Sequence, residues 1–314
     1  MCGIAGIIYR GRAGDVGRDM ARMLQSMRHR GADSTGYALY GEPTDLLVMR
    51  FKLADPTEHR DFDFSDRLER NRAEVEARLA KLGASVDRVQ GESEYAYRAT
   101  FRYTGDLKPL ADYVEDVPGA EVLSLGNSLE IVKDLGDART VAEQYRLDAF
   151  RGTHAIGHVR MATESDVDIA GAHPYWAYPF SDVAVVHNGQ LTNYHQWRRR
   201  LERHGHRFQS ECDSEIIAVY IAQQMADGLS LESAMKQSLD DLDGVFTYLV
   251  VTKDQLGVAK DELAAKPLVL FEGVDDEGRD LVALASEEIA IRAVVHREID
   301  THDPYEREVR VWSR

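Results

Sequence analysis

The sequence predicts an α+β protein whose strands pair antiparallel. Two short apolar runs, GYALYG (36–41) and LLVMRF (46–51), read as strands with no long helix between them, which favours antiparallel pairing because a parallel pair needs a long crossover. Further along, VFTYLVVT, QLGVAK, PLVLFE and LVALAS follow one another at short intervals, the pattern of strands in a sheet. Between and before these lie segments with helical rather than alternating periodicity.

Taken in order, GIAGIIY (3–9) is a short apolar run that reads as a buried strand. Over 15–29, Val16, Met20, Met23, Leu24 and Met27 recur at helical spacing, and Gly31 follows as an expected C-cap. The character changes near Ala54. Segment 58–81 is densely charged, with Leu68, Val75, Leu79 and Leu82 on one helical face. YAYRATFRY (95–103) alternates like a strand, and DLKPLADYVEDV (106–117) resembles a helix with Pro109 in its first turn, where proline is tolerated. EVLSL (121–125) and LEIV (129–132) are strand candidates, and a helix from Ala138 to Phe150 closes the stretch. Residues 55–150 therefore read as a small inserted α+β subdomain, and 1–54 with 151–314 as the main domain. From Thr153 the strand pattern resumes with IGHVRMAT (156–163) and DVAVVHNG (182–189). Asn193 to His204 looks helical and ends at Gly205, Asp213 is placed as an N-cap before SEIIAVYIAQQM, and Ser230 caps a helix running to about Leu242.

The chain has 314 residues, 44% of them apolar, enough for a full core. Its formal charge is −16, and an acidic surface repels phosphate backbones, so nucleic acid and anionic membranes are not expected partners. The two cysteines, Cys2 and Cys212, make no disulfide framework and no CxxC zinc motif. MCGIAGIIYRGRAG lacks the charged n-region of a secretory signal, and no apolar run reaches membrane-spanning length. The expectation is a cytoplasmic protein with reduced thiols and no metal.

Cys2 is the first residue with distinctive chemistry. Once Met1 is removed, it offers a thiol and an α-amine together. The amine, with a reference pKa of roughly 7.7–8.0, is partly neutral near physiological pH and can serve as the base for the thiol. Taken alone, Cys2 reads more readily as a small residue before a strand. The rest of the sequence decides between these. CGIAGI (2–7), RHRGADSTG (28–36), GHVRMAT (157–163), AHPY (172–175), VVHNG (185–189) and SECDSE (210–215) occur in the order found in the class II glutamine amidotransferases, a branch of the N-terminal-nucleophile hydrolases, and DGVFTYLVV (243–251), AAKPLVL (264–270) and ALASEE (283–288) are similar to that family's later strands. The resemblance covers residues 2–53 and 153–292.

That resemblance implies a four-layer αββα sandwich of two antiparallel sheets, with the 55–150 insert at one edge, and hydrolysis of L-glutamine to L-glutamate and ammonia. It implies Cys2 as the nucleophile after loss of Met1. Asn188 and Gly189 would form the oxyanion hole, a side-chain and a backbone N–H where negative charge develops. Arg160 would hold the substrate carboxylate, for which a guanidinium fork is suited, and Asp213 the α-ammonium. Arg30 and Gly31 would shape the wall around the cysteine, and Thr163 and His173 would line the pocket. His29, His154, His158 and His187 have no metal-ligand spacing and are expected to pack or hydrogen-bond. Cys212 reads as a small helix-start residue.

Many relatives fuse this domain to a synthase that uses the ammonia. Here the resemblance implies that ammonia passes to a separate subunit. SECDSE looks most like the glutamate-synthase branch, and the inserted architecture resembles the stand-alone amidotransferase subunits of split, glutamate-synthase-like systems, including that of N-methylglutamate synthase. No cofactor is expected in this chain; a flavin or iron–sulfur cluster would belong to the partner, since two cysteines cannot hold a cluster. The insert, which carries none of the motifs, is expected to dock that partner and to take no part in the chemistry. Two other readings stay open at this level: a free-standing γ-glutamyl amide hydrolase, and a regulatory subunit that binds glutamine with little turnover.

Overall fold

The computed structural model describes residues 2–56, 58, 63–161 and 168–314. Its framework is two antiparallel sheets packed face to face. The first has six strands in the order β13 (Val269–Val274), β14 (Asp280–Ala285), β1 (Gly3–Tyr9), β8 (His154–Arg160), β2 (Ser34–Tyr40) and β7 (Leu129–Leu135). The second has five in the order β15 (Val309–Ser313), β12 (Gln255–Lys260), β11 (Gly244–Val251), β10 (Ala184–Leu191) and β9 (Tyr175–Trp176).

Both sheets read as continuous apolar runs because both are covered on two faces. Successive residues of a strand point to opposite faces. Accordingly Val186, Leu249, Val251, Leu256 and Val258 pack into one core with Ile4, Ile7 and Ile8 of the first sheet. Their neighbours Val185, Tyr248, Val250 and Ala259 turn outward into a second core with the helices α6 (Asp213–Ala226) and α7 (Leu231–Asp241). Helix α6 is buried without a break from Ser214 to Ala222, since β10 lies under it and α7 and α5 (Tyr194–Arg203) lie beside it. On the far side of the first sheet pack α1 (Val16–Ser26), α4 (Ala138–Gln144) and α8 (Glu288–Arg292). The result is the expected helix–sheet–sheet–helix sandwich.

A third sheet, in the order β4 (Ser85–Gly91), β5 (Ala96–Arg102), β3 (Leu47–Lys52) and β6 (Glu121–Gly126), carries α2 (Phe64–Lys81) and α3 (Leu107–Glu115) on one face. Here the structure differs from the sequence reading in two ways. Strands β2 and β3 do not pair; β2 lies between β8 and β7, with Ser34 opposite Leu135 and Tyr40 opposite Leu129, while β3 joins the third sheet. The additional layer is therefore drawn from Leu47 to Gly126 rather than from 55–150, because β7 and α4 return to the first sheet. Charges inside β7 hid its full length. Lys133 and Asp134 interrupt the apolar pattern, yet both are buried and satisfied: Lys133 Nζ donates to the Ala172 carbonyl at 3.1 Å, and Asp134 accepts from the Tyr95 and Tyr145 hydroxyls at 2.7 and 2.9 Å. No described helix is long and apolar enough to cross a membrane.

Candidate active site

Strand β1 runs antiparallel to β8 with Gly3 opposite Val159, which sets Cys2 beside the residues that follow Arg160. The Met161 backbone N–H donates to Cys2 Sγ at 3.4 Å. Two donors fix the Cys2 carbonyl oxygen: Arg30 Nε at 3.0 Å and Asn188 Nδ2 at 3.2 Å. Arg30 is in turn held by Glu287 at 2.6 Å. Cys2 thus joins the two sheets, gripped from α1's end of the first and from β10 of the second.

Cys2, Arg160, His173, Asn188, Gly189 and Asp213 all line one cleft of about 1130 Å³. Arg30 and Gly31 are not among its lining residues; Arg30 reaches the Cys2 carbonyl, and Gly31 packs against the Arg160–Met161 peptide. Thr163 and the expected loss of Met1 concern residues outside those described.

Gly31 caps the 3₁₀ turn that follows α1 rather than α1 itself, and capping is not what requires glycine there. Helix α1 ends at Ser26, a single 3₁₀ turn spans Arg28–Arg30, and Gly31 is extended at φ 176°. What requires glycine is close approach: a Cβ there would sit 2.6 Å from both the Arg160 carbonyl oxygen and the Met161 nitrogen. The Arg160 carbonyl also accepts from the Asp33 N–H at 3.1 Å. Arg160 is therefore positioned by its backbone; it is only 8% exposed and lines the cleft.

Asp213 is not the N-cap of α6 but its first residue; Cys212 occupies the cap position and makes no side-chain cap bond. The Asp213 carboxylate instead accepts from the Leu191 N–H at 2.8 Å and lies 3.4 Å from His187 Nδ1. Burial pushes its carboxyl pKa up, but His187, the Leu191 N–H and Ser214 together bring it below the usual carboxylate value. An anion facing the cleft at this point is thereby favoured. Gly189 has φ 138°, a conformation glycine adopts without strain, and a Cβ there would lie 2.6 Å from Phe246 Cα on β11.

Three histidines form part of the cleft lining, which spacing along the chain had not revealed. Ser214 Oγ bridges His173 Nε2 at 2.6 Å and His187 Nδ1 at 2.8 Å, and His158 stacks on His173 with ring centroids 4.1 Å apart. Burial drives the His158 pKa down to about 3 and that of His173 well below its ordinary value, with neighbouring positive charge adding to the effect. Both rings are neutral near pH 7, so this part of the lining is polar but uncharged. Among the described residues no His, Cys, Asp and Glu group is arranged to hold a metal.

Sequence reading also missed Ser286 and Glu215. Ser286 Oγ accepts from the Ile4 N–H at 3.0 Å and lies 3.5 Å from Asn188 Nδ2. Glu215 accepts from the Gln209 and Ser210 N–H groups at 2.8 and 3.0 Å, tying down the segment that leads into Asp213. Both lie in quoted motifs, ALASEE and SECDSE, which was the only available signal.

The additional layer touches the segment that leads to the cleft. Asp112 of α3 accepts from Arg207 Nε at 2.6 Å and from the Tyr178 hydroxyl, while Gln209 Nε2 donates to the Val122 carbonyl of β6 at 3.3 Å. It braces segment 207–210, whose end lines the cleft.

A family profile described as a glutamine amidotransferase domain matches residues 158–293. A Methanothermobacter thermautotrophicus protein named "Putative glutamine amidotransferase" is 39% identical over 322 residues, covering 100% of both chains. The glutamine amidotransferase-like protein GlxB of Rhizobium meliloti is 37% identical over 275 residues, covering 87% of this chain and 86% of its own. A solved structure of glutamine phosphoribosylpyrophosphate amidotransferase from B. subtilis shares the fold, with a TM-score of 0.60 at 19% identity over 99% of this chain; this chain spans 47% of that one's length. Identity of 39% along the whole of a relative so named shows that the chain belongs to the glutamine amidotransferases.

Proposed function

We propose that Cys2 is the nucleophile of a glutaminase reaction and that the ammonia it releases is used by a separate, glutamate-synthase-like subunit. The observation that carries the first part is the convergence of Cys2, Asn188, Gly189, Arg160 and Asp213 on one cleft from both sheets.

In this reading Arg160 binds the α-carboxylate of glutamine and Asp213 its α-ammonium, which holds the side-chain amide over Cys2 Sγ. The α-amine of Cys2, free once Met1 is removed, takes the thiol proton. The thiolate attacks the amide carbon, and the oxyanion that develops is met by the Asn188 side-chain N–H and the Gly189 backbone N–H. The tetrahedral intermediate collapses, the leaving nitrogen takes the proton from the α-ammonium of Cys2, and ammonia departs. Water then hydrolyses the thioester to glutamate and restores the thiol.

The partner is supported by resemblance in the SECDSE segment and by the additional layer, which offers a surface beside the cleft for a second protein. Any flavin or iron–sulfur cluster belongs to that partner. The test is ammonia release from glutamine by the purified chain and by its Cys2→Ala variant, with and without co-purifying protein. Cys2-dependent release that rises with the partner supports the proposal. Equal release by the Cys2→Ala variant overturns the nucleophile, and full rate without any partner favours a free-standing hydrolase.

A further inference from the structure

The third sheet presents a polar face opposite α2 and α3, and that face is concentrated in arginine. In the β3–β5 register Arg50 lies directly opposite Arg98, and in the β4–β5 register Gln90 is opposite Arg98 and Arg88 opposite Thr100. Like charges directly opposed across a sheet destabilise it unless something lies between them. Here Glu130 of β7 does: its Oε2 accepts from Arg50 Nε at 2.7 Å and from Arg98 Nε at 2.8 Å, and its Oε1 from Arg98 Nη2 at 2.9 Å.

Glu130 is shared by the two guanidinium groups, and Glu92 adds a second carboxylate beside Arg50, so the charge left unbalanced in this region lies on other side chains. Arg50 is 6% exposed, yet its Nη1 makes no hydrogen bond among the described residues; its nearest acid is Glu92 Oε2 at 3.5 Å. These groups line a cleft of about 490 Å³ between the third sheet and the segment from Tyr145 to Arg151. Two more guanidinium groups, Arg88 and Arg146, stand exposed at its mouth. Arg151 also lines it but is paired with Asp15. A cationic cleft is out of keeping with a chain of net charge −16 and has no place in the glutaminase chemistry.

We propose that this cleft binds a small polyanion, presenting phosphate or carboxylate oxygens to the forks of Arg88 and Arg146 at its mouth. A guanidinium fork matches either group in a bidentate way, and the volume lies in the range of small-molecule sites. The Tyr145–Arg151 wall leads within a few residues into β8, which ends at Arg160.

Binding is read directly, independently of turnover and of the roles given to the Cys2 cleft. The full chain is titrated calorimetrically at constant ionic strength with pyrophosphate and, separately, with citrate. Saturable one-to-one binding of either probe is expected, and the probe that binds tells phosphate from carboxylate. Arg88→Ala with Arg146→Ala should raise the dissociation constant at least tenfold. Arg199→Ala with Arg203→Ala, which removes two exposed charges from α5, should leave it within about twofold. If the first pair fails to fold, Arg88→Ala alone carries the same comparison. Absence of saturable binding of both probes, or equal weakening by the α5 pair, overturns the proposal.

Discussion

Gly31 lies against the peptide that joins Arg160 to Met161, so close that a methyl group would come within 2.6 Å of both the Arg160 oxygen and the Met161 nitrogen. The same peptide donates its N–H to Cys2 Sγ. One backbone contact therefore sets both the glutamine-binding candidate and the nucleophile candidate.

Gly31→Ala is expected to displace that peptide. Displacements of about 1 Å in such sites cost on the order of 10²-fold in rate. The kcat/KM for glutamine should fall by about 10–10²-fold, and the unfolding midpoint should fall too, because the clash is with backbone atoms. Unchanged kinetics would show that the peptide relaxes without consequence.

Substitutions in the cleft should separate by kinetic parameter. Asn188→Ala should lower kcat by about 10²–10³-fold, the scale for one lost oxyanion donor. Arg160→Lys and Asp213→Asn should mainly raise KM, since a point charge replaces a fork and a counter-charge disappears. An Asn188→Ala variant altered only in KM would contradict the oxyanion assignment.

The additional layer should contribute to glutamine binding through Asp112 and Arg207. Asp112→Ala should loosen segment 207–210 and raise KM about 3–10-fold, with kcat nearly preserved, because the reacting groups keep their own supports. Steady-state kinetics that match the parent would mean that the segment's other contacts, Glu215 and the Gln209–Val122 bond among them, suffice to hold it.

Acid should weaken the fold through buried histidines. His154 is pushed down to about 4 and His158 to about 3, chiefly by burial, and His173 is also lowered. Their unfolded pKa is about 6.5. Between pH 6.5 and 4 the unfolded chain binds more protons, so this stability is complete above 6.5 and is lost as pH falls, by up to about 1.4 kcal/mol per pH unit for each histidine. Urea midpoints measured from pH 7 to 5 should fall, and less steeply in His154→Gln. An unchanged slope in that variant would remove His154 from the account.

Much of this site is legible in the sequence because its parts sit at strand ends in a fixed order: Cys2 before β1, Arg160 closing β8, Asn188 and Gly189 near the end of β10. Strand membership is less legible. The separation of β2 from β3 is decided by β7, far later in the sequence, whose charges Lys133 and Asp134 find partners only in the folded chain. Ser214 is invisible for a similar reason. A hydroxyl bridging His187 of β10 and His173 of the turn before β9 leaves no periodicity, and neither does the Asp112–Arg207 brace.

The central claim is that Cys2 attacks the glutamine amide carbon. It is tested most directly by reacting the protein with a γ-diazoketone analogue of glutamine and mapping the adduct by peptide mass spectrometry. Stoichiometric labelling of Cys2, on a chain whose N-terminal peptide lacks Met1, is predicted, with slower labelling in Arg160→Lys and protection by glutamine. Labelling of Cys212 instead, or an active enzyme that retains Met1, would contradict it.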